Sequence, residues 1–196
     1  MSAVKKLSLI SVEDYLAGEL VSPVKHEYVD GRVYAMAGGR NVHNIIALNI
    51  AARLLTRLSG KPCQPFNSDT KIRIPRPPSE KFYYPDVSVV CEPNPLQFTY
   101  QERPVVLFEV ISESTRRADE GEKKDGYLSL PSLAVYALVE QDSALVNVYR
   151  RRGDIFESET LEGLNATLDL VEIGTTLPLT EIYQRVEFAE AEPANQ

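Results

Sequence analysis

Two acids stand where a buried strand ordinarily carries only apolar residues. Asp86 follows Tyr84-Pro85 and opens the run Val87-Ser88-Val89-Val90, and Glu109 interrupts Val105-Val106-Leu107-Phe108-Glu109-Val110-Ile111. Short valine-rich runs bounded by proline and polar loops are what buried strands look like. An ionised carboxylate in such a run must be paired or bound to a cation, because burying it bare costs several kcal/mol or forces it to take up a proton. Lysines follow at Lys123 and Lys124. Two acids and a nearby ammonium point to a site for a hard cation.

The rest of the chain must position these groups. Ser11, with Asp14 three residues on, reads as the cap of a short helix through Tyr15 and Leu16. Residues 25–36 read as a hairpin turning at Asp30-Gly31, a pair suited to a type I′ turn. Between Asn41 and Leu58 the residues Ile45, Ile46, Ile50, Leu54, Leu55 and Leu58 recur at helical spacing, the clearest helix in the sequence. Strands are expected at 62–66 and 70–74, then a loop at Pro75, Pro77 and Pro78, and a second loop at 92–103. A helix from about 118 to 130, weakened by Gly121 and Gly126, puts Lys123, Tyr127 and Leu130 on one face. Strands follow at 135–140, 145–151, 155–159 and 167–171, then a last helix at 180–186. The expected architecture is α/β or α+β, with both acids on neighbouring runs of one mixed sheet. If those strands pair, the carboxylates can converge at one edge.

At 196 residues, without an internal linker or charge block, one domain over 1–196 is expected, with frayed tails at 1–10 and 187–196. The apolar stretch from Leu7 to Ile10 is too short for a signal-peptide core, and no run approaches a membrane helix. The expected location is therefore cytoplasmic, with no membrane partner. Cys63 and Cys91 stand apart without CxxC spacing or a Cys/His cluster, which argues against zinc and for two buried free thiols. A formal net charge of −7 has the wrong sign for a protein that coats nucleic acid, but leaves room for an enzyme that visits a phosphodiester.

Pro85-Asp86, a strand carrying Glu109 and a lysine shortly afterwards together resemble the PD-(D/E)xK restriction-endonuclease-like superfamily. More narrowly, HEYVDG at 26–31, His43, SDTKIRI at 68–74, YYPDVSVV at 83–90, FEVISEST at 108–115 and DEGEKKDGY at 119–127 look like the Uma-two family. The resemblance runs from about Val12 to Val186. It implies a restriction-endonuclease-like mixed β-sheet flanked by helices and a metal-dependent nuclease activity. Two positions depart from the pattern. Ile111 stands where the superfamily has lysine, and Ala137 stands where a tryptophan is expected.

The chemistry implied is phosphodiester hydrolysis. Mg²⁺ or Mn²⁺ held by Asp86 and Glu109, with the Val110 carbonyl, would polarise the phosphate and supply hydroxide. A compact ammonium beside them would orient water or offset developing charge. The family pattern of a lysine four residues before a tyrosine selects Lys123, delivered from the helix in place of the residue missing at 111. Glu27 and His43 match family motifs and are supporting candidates. Asp69 reads first as a turn residue, with an auxiliary ligand role as the alternative. The expected substrate is nucleic acid, DNA ahead of RNA, and a homodimer is the assembly to look for because symmetric association is common. Arg116 and Arg117, Lys71, Arg73, Arg76 and Lys81 flank the two acid-bearing strands and are candidates for the nucleic-acid backbone. The competing reading is a catalytically silent scaffold or binding module, favoured by Ile111 and the acidic balance.

Overall fold

The valine-rich runs form the centre of a six-stranded sheet, because their side chains alternate between two separately packed faces. The computed structural model describes residues 9–77, 79–112 and 116–188. In chain order it comprises α1 (Val12–Glu19), β1 (His26–Val29), β2 (Arg32–Ala35), α2 (Asn41–Arg57), β3 (Gln64–Asn67), β4 (Lys71–Arg76), β5 (Ser79–Tyr83), β6 (Val87–Val90), β7 (Tyr100–Gln101) and β8 (Pro104–Ile111). Then come α3 (Arg116–Asp119), α4 (Glu122–Leu128), β9 (Val135–Glu140), β10 (Leu145–Arg152), β11 (Ile155–Glu162), β12 (Thr167–Leu170), a 3₁₀ turn at Val171–Ile173, β13 (Thr175–Pro178) and α5 (Leu179–Ile182).

The central sheet has the order β11-β10-β9-β8-β6-β3, with β8 and β9 parallel and every other pair antiparallel. A second sheet has the order β2-β1-β5-β4-β7. The path from β5 through Tyr84-Pro85-Asp86 into β6 carries the chain from one sheet to the other. On one face of the central sheet Val87, Val89, Val106, Phe108, Val110 and Ala137 pack against Ile46, Ile50 and Leu54 of α2. On the other face Leu107, Ile111, Tyr136 and Leu138 meet Tyr127 and, from the second sheet, Ile72, Ile74 and Tyr83. Each such aliphatic side chain contributes about 1.5–3 kcal/mol by leaving water, so strand alternation fixes which face carries Glu109.

The hairpin forms at Asp30-Gly31, both at positive φ, as type I′ requires. Ser11 caps α1 by accepting the Asp14 N–H. Ile10 is not frayed: its N–H donates to Gly31 and its carbonyl accepts from Tyr28. At the other end, Phe188 packs on Tyr183. The rest of the expected tails, 1–8 and 189–196, lies outside the described residues.

Several expectations are corrected. Pro75 does not break the chain into a loop, because β4 runs on to Arg76 and pairs with β5, Pro75 lying opposite Glu80; Pro77 does lie in the turn that follows, and Pro78 is outside the described residues. Within the stretch expected to be irregular, Tyr100 and Gln101 form β7 against β4. The helix expected at 118–130 is two pieces, α3 and α4, separated at Gly121, whose ψ of −112° no helix continues through. Gly126 lies inside α4, where a Cβ would come 3.1 Å from Ile74 Cδ1, so its absence lets α4 sit against β4. Cys63 and Cys91 are not free thiols but a disulfide. Continuing the β3/β6 register one residue past Gln64 and Val90 brings them face to face across the ladder, a proximity that sequence spacing does not reveal. Among the described residues no helix is long and apolar enough to cross a membrane.

Candidate active site

Strand register brings the two acids together. Val87 pairs with Phe108, so one step further along Asp86 comes opposite Glu109, and two steps further Pro85 comes opposite Val110. Directly opposed residues of antiparallel strands have their side chains on one face. Pro85 has no N–H to give the Val110 carbonyl, so the ladder cannot claim that oxygen. The Val110 N–H donates instead to Asp86 Oδ2, 2.7 Å away. Proline at 85 thus ends the pairing where a carboxylate takes over from the backbone.

His43, in the first turn of α2, lies with Nε2 3.1 Å from the same Asp86 oxygen. The hydrogen bond it donates there, with the negative charge of Asp86, raises its pKa against the opposing effect of burial. Its other ring nitrogen, Nδ1, is buried without a hydrogen-bond partner among the described residues. Gly39 abuts the ring, since a Cβ there would come within 2.8 Å of Nδ1.

Glu109 is 3% exposed. Lys123 Nζ is 3.2 Å from its Oε1, and the Tyr127 hydroxyl donates to that oxygen over 3.3 Å. The same ammonium lies 3.0 Å from Glu27 Oε1 on β1 and 3.3 Å from Asp119 Oδ1 at the end of α3. Glu27 Oε1 is close enough to be an ion-pair partner but has no well-directed hydrogen bond. Three carboxylates therefore surround one ammonium, an excess of two negative charges if all are ionised.

The electrostatics follow from that imbalance. Burial pushes the Glu109 pKa far up, and Asp119, Asp86 and Glu27 push it further, with Lys123 alone among these neighbours pulling it down. Burial works against charge on Lys123, but Glu109, Glu27 and Asp119 outweigh it and raise its pKa. The ammonium stays charged while Glu109 holds its proton above the ordinary carboxylate range. Burial and the neighbouring Glu109 likewise raise Tyr127, which remains a donor.

These groups line a cavity of about 640 Å³ that contains Glu27, His43, Asp86, Glu109, Asp119 and Lys123, within the usual range for a ligand site. Hard oxygen donors, a carbonyl released from its ladder and uncompensated negative charge fit a divalent cation. Among the described residues no three His, Cys, Asp or Glu side chains form a ready cluster for a metal. Asp86, Glu109 and the Val110 carbonyl match the sparse protein ligation of Mg²⁺, which keeps several waters.

Glu27, His43, Asp86, Glu109, Val110 and Lys123 are thus brought to one cavity. Asp69 is not. It pairs with Lys25 at 3.1 Å in the turn from Asn67 to Thr70, 73% exposed at its side chain, and lines a different cavity. Sequence reasoning passed over Asp119 as a site residue; its signal was the spacing of four before Lys123. Ile111 is buried among Leu107, Tyr136 and Leu138. Being two residues from Glu109 it shares that face, and the ammonium that lies beside Glu109 comes from Lys123 of α4.

A mixed sheet holding paired acids, with an ammonium beside one of them, defines a restriction-endonuclease-like fold. In a solved structure, a putative nuclease belonging to DUF820 from Anabaena variabilis, the same architecture appears at TM-score 0.66 and 16% identity, covering 86% of this chain and 96% of that one. The chain belongs to the Uma2 family, described as "Putative restriction endonuclease", whose pattern matches residues 12–180. It is 33% identical over 180 residues to the uncharacterized protein slr1290 of Synechocystis sp. (strain ATCC 27184 / PCC 6803 / Kazusa), covering 91% of this chain and 94% of that protein. It is 28% identical over 157 residues to sll1609, an uncharacterized protein of the same organism, covering 79% and 88%.

Proposed function

We propose that the protein is a metal-dependent endonuclease that hydrolyses phosphodiester bonds, DNA in preference to RNA. Asp86 and Glu109 hold Mg²⁺ or Mn²⁺ with the Val110 carbonyl, and Lys123 stands beside Glu109 as the cationic group. The observation that carries the reading is the charge balance of the cavity: Glu27, Glu109 and Asp119 against one ammonium, with Asp86 at the same place. A divalent ion would offset that excess and, when bound, supplies an activated water. Asp86 is held by the Val110 N–H and His43, Lys123 offers charge where phosphate oxygens become more negative, and Tyr127 fixes the Glu109 carboxyl.

The silent-scaffold reading keeps one supporting observation. Lys123 already lies within ion-pair distance of all three of its acids, as a structural cluster would. The two readings separate in a cleavage assay on plasmid and on single- and double-stranded oligonucleotides with Mg²⁺ or Mn²⁺. Cleavage by wild type, absent with chelator and absent in Asp86→Asn, supports the nuclease. A wild type that cuts none of these substrates supports the scaffold.

A further inference from the structure

Three of the basic residues flanking the acid-bearing strands are engaged by acids. Arg116 pairs with Glu140 and Glu120, Arg73 with Glu80 and Glu102, and Lys81 with Glu122. Lys71 is different. It begins β4, is only 5% exposed, and among the described residues its ammonium has neither a hydrogen bond nor an acid within ion-pair distance. Its ammonium lies over the face of the Tyr84 ring, 5.0 Å from Nζ to centroid. Glu19, the acid whose charge acts on it from beyond ion-pair distance, is engaged by the Tyr84 hydroxyl and by His26. Burial lowers the Lys71 pKa in spite of Glu19. A buried cation without a carboxylate partner is costly, and three N–H donors remain unused.

Lys71 lines a second cavity, of about 430 Å³, and Tyr84 lines both this cavity and the active one. The second cavity is also lined by Thr70 and Thr99, by Phe66, Leu96 and Phe98, and by Glu19 and Asp69, the first engaged by Tyr84 and His26 and the second by Lys25. Phe98 is 45% exposed, its ring held edge-on by Tyr100, which is held in turn by Phe82. Cationic and hydroxyl donors beside an exposed flat ring suit a ligand with a phosphate and a planar base. A polyanion with one linkage beside Asp86 would run past Tyr84 into this space, and a concave site admits an unpaired nucleotide better than a duplex.

We propose that the second cavity is a nucleotide subsite, in which Lys71 takes a backbone phosphate and Phe98 stacks on the base of a residue next to the scissile linkage. The inference rests on the nuclease reading and adds to it a preference for unpaired or extruded nucleotides.

The test is fluorescence anisotropy of a labelled single-stranded oligodeoxynucleotide with the full chain in chelator, across a range of salt, beside the cleavage assay. Lys71→Met should weaken binding about tenfold and make the log–log salt slope shallower by about 0.7, the share of one phosphate on a single strand. Phe98→Ala should weaken it about tenfold with the slope unchanged. Phe98 is half-exposed, so this variant carries the test if Lys71→Met does not fold. Wild type that binds and cleaves, with the folded variants matching it in affinity and slope, overturns the subsite and leaves the nuclease standing. Wild type that neither binds nor cleaves any oligonucleotide overturns both.

Discussion

Lys123 Nζ and Glu109 Oε1 lie 3.2 Å apart, although the lysine comes from a helix and the glutamate from the central sheet. Gly126, one turn after Lys123, lets α4 approach β4 closely enough for this contact. Position 111, on the same strand as Glu109, is given over to the core. The ion pair therefore reports how the helix is docked as much as how the site is charged.

Removing that ammonium leaves Glu27, Glu109 and Asp119 facing one another in a buried space. Lys123→Met is expected to destabilise the fold by about 3–5 kcal/mol and to abolish cleavage. Lys124, whose ammonium lies over the Tyr149 ring, is the control: Lys124→Ala should cost no more than about 1 kcal/mol and leave cleavage intact. Urea denaturation and turnover on both variants check this. Loss of turnover in Lys124→Ala alone would assign the role to the wrong lysine.

The raised pKa of Glu109 has a definite sign in stability. Above the ordinary glutamate value of 4.5, and up to its raised folded value, the folded state holds the proton that the unfolded state has released. Stability from this group therefore falls as pH rises through that window. Lys123, also raised, contributes stability that is present below its ordinary 10.5 and lost as pH climbs through its folded value. Glu109→Gln mimics the protonated acid and escapes the first loss. In chelator, its urea midpoint should gain on that of wild type as pH rises from 4.5 into the neutral range; a pH-independent gap would show that Glu109 titrates normally.

Much of this was legible in the sequence, and the gaps have physical causes. Asp30-Gly31, the helical spacing from Ile46 to Leu54 and the runs around Asp86 and Glu109 are local patterns, and the chain follows them. Lys123 was reachable because the family pattern it matches, a lysine four residues before a tyrosine, is also local. Pro75 misled because a proline at a strand edge can leave pairing on its other side intact. Glu27 could be reached only through the family motif it matches, because its partner Lys123 comes from α4 and the pairing exists only once that helix is docked. Asp69 failed as a ligand for the same reason in reverse: Lys25 lies beside it, away from the acids.

The Cys63–Cys91 disulfide closes a loop with a sequence separation of 28. A crosslink over such a loop is expected to contribute about 3–4 kcal/mol, chiefly by restricting the unfolded chain. Thiol titration of unfolded, unreduced protein should find no free thiol, and dithiothreitol or Cys63→Ala should lower the urea midpoint accordingly. In a reducing cytosol the pair would be dithiol, and the stability of the reduced form is the value that applies there. An unchanged midpoint on reduction would show that the β3/β6 ladder holds without the crosslink.

The proposed hydrolytic centre requires a divalent ion held in this cavity between Asp86 and Glu109. Mn²⁺ binding followed by calorimetry on wild type, Asp86→Asn and Glu109→Gln tests that without reference to any substrate. The expected result is one saturable site per chain, tighter at pH 8 than at pH 6 because Glu109 must shed its proton, and lost in both variants. Wild type that binds no Mn²⁺, or variants that bind it as well as wild type does, would contradict the metal centre.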